Sequence, residues 1–325
     1  LGRLTGVQIL GLGSSVPDCI VTNAELGRRG FDEDWILQRT GVRERRHAPP
    51  GVNTSDLAAE AAARCIAASR VDPESIDLVL VATYTPDMPM PSTAALVQDR
   101  LGLSCMAYDL QAACTGFMFA LISAMQFAAT GCSRNALVIG ADCNSRITNP
   151  DDEQIYPIFG DGAGAAIVAA GDQDQGLLSY AVGTDGSGAD MLCRPMGGSR
   201  LLHVGDRDPR RWLHMAGRQV FKWAIRTLTT SVRDALRAAD VTLDDVDLVV
   251  LHQANLRIID AAVQNLGIDP RKVYNNLDRY GNTAAASIPL ALDEAQCQGR
   301  IRPGSLVLVS GFGGGLTWGT ALLRW

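Results

Sequence analysis

No two cysteines in this chain stand at Cys-x-x-Cys spacing and no histidine lies near any of the eight, so a zinc site is not expected. Long apolar runs are missing as well: nowhere do about 18 apolar residues follow one another, which excludes a helix that spans a membrane. Positive charge is in deficit. A net charge of −6 and a pI near 5.3 leave no diffuse basic field to hold nucleic acid or an anionic membrane, so any basic recognition must be local. The glycine clusters in Asp161–Val168 and Gly311–Thr320 lack the Gly-Lys-Ser/Thr of a phosphate loop, and neither opens a dinucleotide-binding βαβ unit. No nucleotide cofactor, metal or other prosthetic group is expected. Disulfides are not expected either, because 325 residues at 47% hydrophobic build a large core without covalent staples. The opening Leu1–Gly11 has no charged segment followed by a long apolar one, so no secretory leader is expected there and a reducing cytoplasm is the expected compartment.

The most informative stretch that is present runs Tyr108-Asp-Leu-Gln-Ala-Ala-Cys114-Thr-Gly116-Phe-Met-Phe-Ala. It places a cysteine where a turn of small residues becomes an apolar helix. The first N–H groups of a helix lack internal partners and the helix dipole is positive there, so the thiol pKa is expected to fall. A buried, inert core cysteine is the plainer reading and fits most of the eight. Two distant residues argue against it for Cys114: His252 in Leu251-His-Gln-Ala-Asn255, and Asn282 in Tyr280-Gly-Asn-Thr-Ala-Ala-Ala. Cys, His and Asn on separate segments form a nucleophile pattern. His47, His203 and His214 take the plainer reading of structural or surface histidines.

The chain repeats itself. Ala68–Val81 resembles Ala238–Leu251, and Asn135–Asp142 resembles Gly304–Gly311, at an offset near 170 residues. Two α/β halves are expected, over 1–170 and 171–325, the first carrying the cysteine and the second the histidine and asparagine. Each has a long amphipathic helix (55–68 and 217–238), a β-branched strand, a small-residue helix and a second apolar strand. The helix over 116–129 is apolar nearly all round and must be buried; its counterpart is expected from Asn282 to about Gln296. Small residues let two such helices pack closely, which would bring Cys114 to Asn282. His252 ends a buried strand, where ligand sites of α/β sheets collect.

The chain resembles the β-ketoacyl-[acyl-carrier-protein] synthase III family, condensing enzymes of the thiolase superfamily. The resemblance rests on Asp34-Trp35-Ile-Leu-Gln-Arg39-Thr-Gly-Val-Arg-Glu-Arg, the Cys114 segment, Phe159-Gly-Asp-Gly-Ala-Gly-Ala, His252-Gln-Ala-Asn-Leu-Arg257, Gly281-Asn282-Thr and Phe312-Gly-Gly-Gly-Leu-Thr-Trp-Gly, and covers nearly the whole length. It implies a thiolase-like fold, with duplicated βαβαβαβ halves forming a five-layered αβαβα sandwich, in a cytoplasmic homodimer. It also implies a decarboxylating condensation of an acyl primer with malonyl-carrier protein through an acyl-Cys114 intermediate, the step that initiates fatty-acid synthesis. His252 and Asn282 would assist Cys114, Gly314 and Phe312 would belong to the oxyanion and active-site loop, and no cofactor is needed beyond the coenzyme A thioester used as substrate. The implied partners are acyl carrier protein, acyl-coenzyme A and malonyl-carrier protein.

By the same resemblance Trp35, Arg39, Met90 and Phe159 are substrate-binding positions, and Lys222 and Arg257 dock the acidic carrier protein. Three departures stand out. The family commonly stacks adenine between Trp35's counterpart and an arginine for which this chain has Glu153, which removes a cation–π contact. Met90 replaces a phenylalanine that reaches into the partner subunit's acyl tunnel, so primers longer or differently shaped than acetyl are expected. Gln264 and Asn265 replace lysines of the docking face. These departures feed an alternative, a synthase-III-like acyltransferase or priming enzyme of polyketide and secondary metabolism; a minor alternative is a non-catalytic carrier-protein partner.

Overall fold

The apolar runs become strands buried on both faces. The computed structural model describes residues 1–325. One sheet has five strands in the order Val7–Ser15, Asp161–Ala170, Asn135–Cys143, Leu78–Ala82 and Met106–Leu110. The other has six, in the order Gly2–Thr5, Gly176–Thr184, Thr317–Arg324, Leu306–Gly313, Leu248–Leu251 and Val273–Tyr274. Beyond Gly2–Thr5 the two match strand for strand: Leu78–Ala82 lies parallel to both neighbours, and so does Leu248–Leu251, while the next pair in each sheet is antiparallel. Gly2–Thr5 pairs with Gly176–Thr184, so the first residues of the chain complete the second sheet. The crossing happens at Gly6, whose φ of 79° only glycine adopts freely. The expected boundary at residue 170 is therefore bridged by one strand.

Alternation along the central strands shows the layering. Leu78, Leu80 and Ala82 share a core with Phe117, Leu121, Ala291 and, from the other sheet, Leu248, Val250 and Val307. The residues between them, Val79 and Val81, pack instead on Ala58, Ala61 and Ala62 of the helix Thr54–Ser69. In the second half Val249, Leu251 and Leu308 pack on Val220, Ala224, Leu228 and Val232, the apolar stripe of the helix Gly217–Ala239. Helices Gly116–Ala129 and Ser287–Cys297 thus lie between the sheets, and the long helices cover the outer faces. The fold is the five-layered thiolase-like sandwich. No helix is long and apolar enough to cross a membrane.

The duplication extends to backbone strain. Four non-glycine residues have positive φ, and they form two pairs about 170 residues apart: Arg70 with Asp240, and Ala113 with Ala284. The first pair closes the long outer helices in left-handed caps. The second opens short 3₁₀ turns, Ala113–Thr115 and Ala284–Ala286, that feed the central helices. The second central helix begins at Ser287, five residues later than the Asn282 start read from sequence. Asn282 is held away from it by pairing with the first half, where it makes a parallel bridge to Phe159.

Candidate active site

Cys114 occupies the middle of the 3₁₀ turn Ala113–Thr115, between the positive-φ Ala113 (47°) and the first residue of the central helix. Strained backbone of this kind recurs at functional positions. The strand Leu306–Gly313 passes beneath the turn, and a methyl group on Gly313 would lie 2.8 Å from the Cys114 backbone nitrogen. Only glycine fits there. Two residues back on the same strand face, a methyl on Gly311 would meet His252 Cβ at 3.2 Å. Cys114 and His252 therefore stand over successive same-face positions, roughly 7 Å apart along the strand.

His252 follows directly on Leu248–Leu251, and its N–H continues that strand's pairing to Ser310 O at 2.8 Å. Its Nδ1 lies 2.6 Å from Ser287 Oγ, its ring meets the Phe312 ring edge-on at 5.5 Å, and Nε2 has no protein partner. Asn282 is fixed by backbone on both sides, its N–H donating to Ile158 O at 2.8 Å and its carbonyl accepting from Gly160 N–H at 3.0 Å. Its side-chain Oδ1 accepts from Ala284 N–H at 2.8 Å. That contact settles the amide's orientation and leaves Nδ2–H as a donor toward the cavity that Asn282, His252 and Cys114 all line.

Burial dominates the electrostatics. It pushes the Cys114 thiol up to about 12, and the nearby Asp142 carboxylate adds to the rise. The pKa fall expected from the helix start is thus overturned: a short turn's dipole does not offset complete desolvation beside an acid. Burial also lowers His252 to about 3, so its imidazole is neutral at physiological pH. Asp142 is itself pushed up to about 7 by burial, against hydrogen bonds from Tyr84, Ala285, Thr85 and Thr83. The site at rest holds a thiol, a neutral imidazole and an amide.

These three line one cavity of about 1520 Å³, together with Trp35, Arg39, Phe159, Phe312 and Gly314 from the sequence-based set. Arg39 is tied to the histidine motif, since Asn255 Nδ2 donates to its carbonyl at 3.0 Å. Three predicted residues lie elsewhere. Met90 is 84% exposed and does not line the cavity of its own chain, although Met88 and Pro89 do. Lys222 and Arg257 are exposed beside the mouth rather than in it, next to the lining residues Phe221 and Ile258; the Arg257 guanidinium sits 5.8 Å from the Phe221 ring. Glu153 is exposed and outside the wall, which its neighbours Asp152 and Gln154 join. Among the histidines given a plain reading, His47 is buried against Phe159 O and Tyr156, whereas His214 lines the cavity. Sequence reading missed Arg194 as well. It is half-buried in the cavity wall, its Nε donates to Arg211 O at 3.0 Å, and no carboxylate pairs with it. Nothing in its sequence context separates it from the other 28 of 29 basic residues.

Comparison with known proteins agrees with this geometry. Residues 108–186 match the family model of 3-oxoacyl-[acyl-carrier-protein (ACP)] synthase III, and residues 236–325 match that of its C-terminal part. The chain is 53% identical to a β-ketoacyl-[acyl-carrier-protein] synthase III of Rhodopirellula baltica, with all of both chains covered. Among solved structures it resembles the Thermus thermophilus β-ketoacyl-[acyl carrier protein] synthase III at 44% identity and a TM-score of 0.90, over 98% of each chain. It also resembles the Aquifex aeolicus 3-oxoacyl-[acyl-carrier-protein] synthase III at 38% identity and a TM-score of 0.91, over 98% of this chain and 100% of that one.

Proposed function

The chain belongs to the 3-oxoacyl-[acyl-carrier-protein] synthase III family, and from that membership we propose a mechanism in which Cys114 is the nucleophile and His252 and Asn282 are the enolate-stabilising donors. The protein is an acyltransferase that performs the condensation initiating fatty-acid synthesis. The single observation that carries the residue assignment is the convergence of the three side chains on one cavity wall, with the Asn282 amide turned donor-inward by its bond to Ala284 N–H.

In the first half-reaction Cys114 Sγ attacks the carbonyl of an acyl thioester. The new C–S bond forms as the donor's C–S bond breaks, and the thiol proton leaves with the departing thiolate, so that one thiol enters and one departs. This accommodates a sulfur that is protonated at rest. The Cys114 N–H lies beside its own sulfur, and the glycine-only approach of Gly313 keeps it clear of side chains; with Gly314 N–H it forms the proposed oxyanion site. In the second half-reaction the malonyl thioester loses CO₂, and the bonding pair moves onto its carbonyl as an enolate. His252 and the Asn282 amide donate hydrogen bonds to that oxygen. The enolate carbon attacks acyl-Cys114, the C–C bond forms, and the cysteine leaves as thiolate and takes up one proton from solvent.

Trp35 and Arg39 form the proposed donor end of the cavity, with the unpaired Arg194 as a further cation for donor phosphates. Lys222 and Arg257, exposed beside the mouth, suit an acidic carrier protein. The proposal extends to a cytoplasmic homodimer whose two chain halves, 1–170 and 171–325, act as domains. For the dimer, Met106–Leu110 is an open sheet edge with Met106 51% exposed. Asp109 ties it to the first turn of the helix Thr93–Arg100, which follows the Met88–Met90 loop, by accepting N–H bonds from Thr93 and Ala94 at 2.8 and 2.7 Å. An open edge flanked by exposed methionines suits a second copy. Full-length identity of 53% to a synthase III favours initiating condensation over secondary-metabolite acyl transfer. The test is intact-protein mass spectrometry with acyl-coenzyme A donors of several lengths, then malonyl-carrier protein. Loading at Cys114, discharged with CO₂ release, supports the proposal; loading elsewhere, or discharge without CO₂, overturns it.

A further inference from the structure

The donor role of His252 requires one particular tautomer, with the proton on Nε2 and a lone pair on Nδ1; the reverse tautomer would aim a lone pair at the enolate oxygen. We propose that Ser287 is a positioning residue that fixes this tautomer and the plane of the ring. The inference rests on the reading of His252 as a hydrogen-bond donor to the enolate.

The argument is a count of hydrogens in a dry pocket. Ser287 Oγ, 1% exposed, has two neighbours: the Gln253 N–H, which donates to it over 3.4 Å, and His252 Nδ1 at 2.6 Å. A hydroxyl has one hydrogen to give. If Nδ1 carried a proton, it would donate to Oγ alongside the Gln253 N–H, and the Ser287 hydrogen would have no acceptor. With Oγ–H donating to Nδ1, the hydroxyl hydrogen and the Gln253 N–H are both used, and the ring proton stands on Nε2, the ring atom without a protein partner, on a side chain that lines the cavity. The penalty for a buried donor left unsatisfied corresponds to a preference of about tenfold to a hundredfold for this arrangement.

The surroundings hold both partners still. Gln253, also 1% exposed, donates through Nε2 to Leu251 O at 2.7 Å and accepts through Oε1 from Asn276 and Leu277 N–H at 3.1 and 3.2 Å. It therefore locks the backbone that presents its own N–H to Ser287. Ser287 opens the second central helix, and its duplicate in the first half is Gly116, which opens the first. A hydroxyl is not required to start a helix at this place in the fold. Its presence only in the half that carries His252 is consistent with service to that ring.

The experiment is long-range proton–nitrogen NMR on full-length protein labelled with ¹⁵N-histidine, with the His252 signals identified by their loss in His252→Gln. It is paired with separate measurement of Cys114 loading and malonyl-dependent CO₂ release. Expected for the unchanged protein is a single neutral tautomer with Nε2 protonated and Nδ1 accepting. Ser287→Ala should slow CO₂ release about tenfold or more, broaden or average the ring signals, and change loading less than twofold; Ser287→Thr, which keeps the hydroxyl, should restore both readouts. A protonated Nδ1 in the unchanged protein overturns the proposal, as does a Ser287→Ala protein with the original spectrum and full CO₂ release. If Ser287→Ala does not fold, the unchanged spectrum and Ser287→Thr still decide. If His252→Gln condenses normally while the tautomer is as stated, the donor role of His252 fails and the tautomer assignment stands.

Discussion

Replacing Asn282 with Asp changes one NH₂ into an oxygen and almost no volume. The retained Oδ1 still accepts from Ala284 N–H at 2.8 Å, so the backbone pairing of Asn282 with Ile158 and Gly160 is expected to survive. What is lost is the inward donor. Removing one donor from a developing oxyanion lowers a rate by about 10²–10³, roughly 3–4 kcal/mol. An ionised Asp would add repulsion: two like charges about 4 Å apart at an effective dielectric of 20 repel by about 4 kcal/mol. Position 282 is buried, which favours the neutral acid, and a neutral acid again has a hydrogen to donate. Malonyl-dependent CO₂ release by Asn282→Asp should therefore fall at least hundredfold at pH 8 and recover as pH drops, while loading of Cys114 changes less than threefold. The assay is CO₂ release from malonyl-carrier protein against pre-formed acyl-enzyme, with acyl occupancy followed by mass. Release within tenfold of the unchanged protein at pH 8, or an equal loss of loading, refutes the reasoning.

Three further outcomes follow from the same structure. With the Cys114 thiol pushed up to about 12, its alkylation by iodoacetamide should climb about tenfold per pH unit from 7 to 10, and a plateau below pH 9 would refute a protonated resting thiol. Gly313→Ala sets a methyl 2.8 Å from the Cys114 nitrogen, so acyl loading should fall at least hundredfold with the melting transition retained; loading within threefold would mean the turn yields freely. Arg45 is fully buried without a carboxylate, donating to Pro157 O, Val21 O and Asn23 Oδ1 at 2.8–3.1 Å; Arg45→Met leaves these acceptors unmet and should lower unfolding free energy by about 3 kcal/mol or more, read from denaturant midpoints.

What was legible in sequence was whatever is written locally. The apolar stripe of Gly217–Ala239, the all-round apolar Gly116–Ala129 and the buried strands declare themselves by periodicity, and the repeat near 170 residues announces the two sheets. That Cys114, His252 and Asn282 would meet at one cavity was legible because each sits in a distinctive motif at the end of an element. Contacts made across the fold were not. Gly2–Thr5 crosses to the second sheet through tertiary pairing that no local pattern encodes, and Ser287 reads as an ordinary helix residue until His252 is placed beside it. The Cys114 pKa was misjudged for the same reason: the helix start is visible in sequence, whereas the desolvation and Asp142, 28 positions on, act through space.

The duplication also explains why the proposed nucleophile stands in only one half. The strands Asn135–Cys143 and Leu306–Gly313 occupy equivalent places, each beside the parallel strand of its half, and the two 3₁₀ turns face them across the pseudo-symmetry. By strand register, two residues off the match read from sequence, the equivalent of Gly313 under Cys114 N–H is Asp142 in the first strand, whose Oδ2 accepts from the N–H of Ala285, the duplicate of Cys114, at 3.1 Å. One turn thus has its amide filled from within by a side chain, and the other has it left open by a glycine. The filled site bears on the open one, because the Asp142 carboxylate raises the Cys114 pKa. Asp142 titrates near 7, so this push sets in as pH rises through neutrality. Asp142→Asn removes the charge. Its oxygen can still accept from Thr83, Tyr84 and Thr85, while its NH₂ opposes the Ala285 N–H, for a destabilisation of about 1–3 kcal/mol. Folded Asp142→Asn protein should be alkylated at Cys114 faster than the unchanged protein at pH 9, and the difference should shrink below pH 6, where Asp142 is already neutral. Equal rates at pH 9 would mean that burial alone sets the thiol and that the two halves do not communicate through this carboxylate.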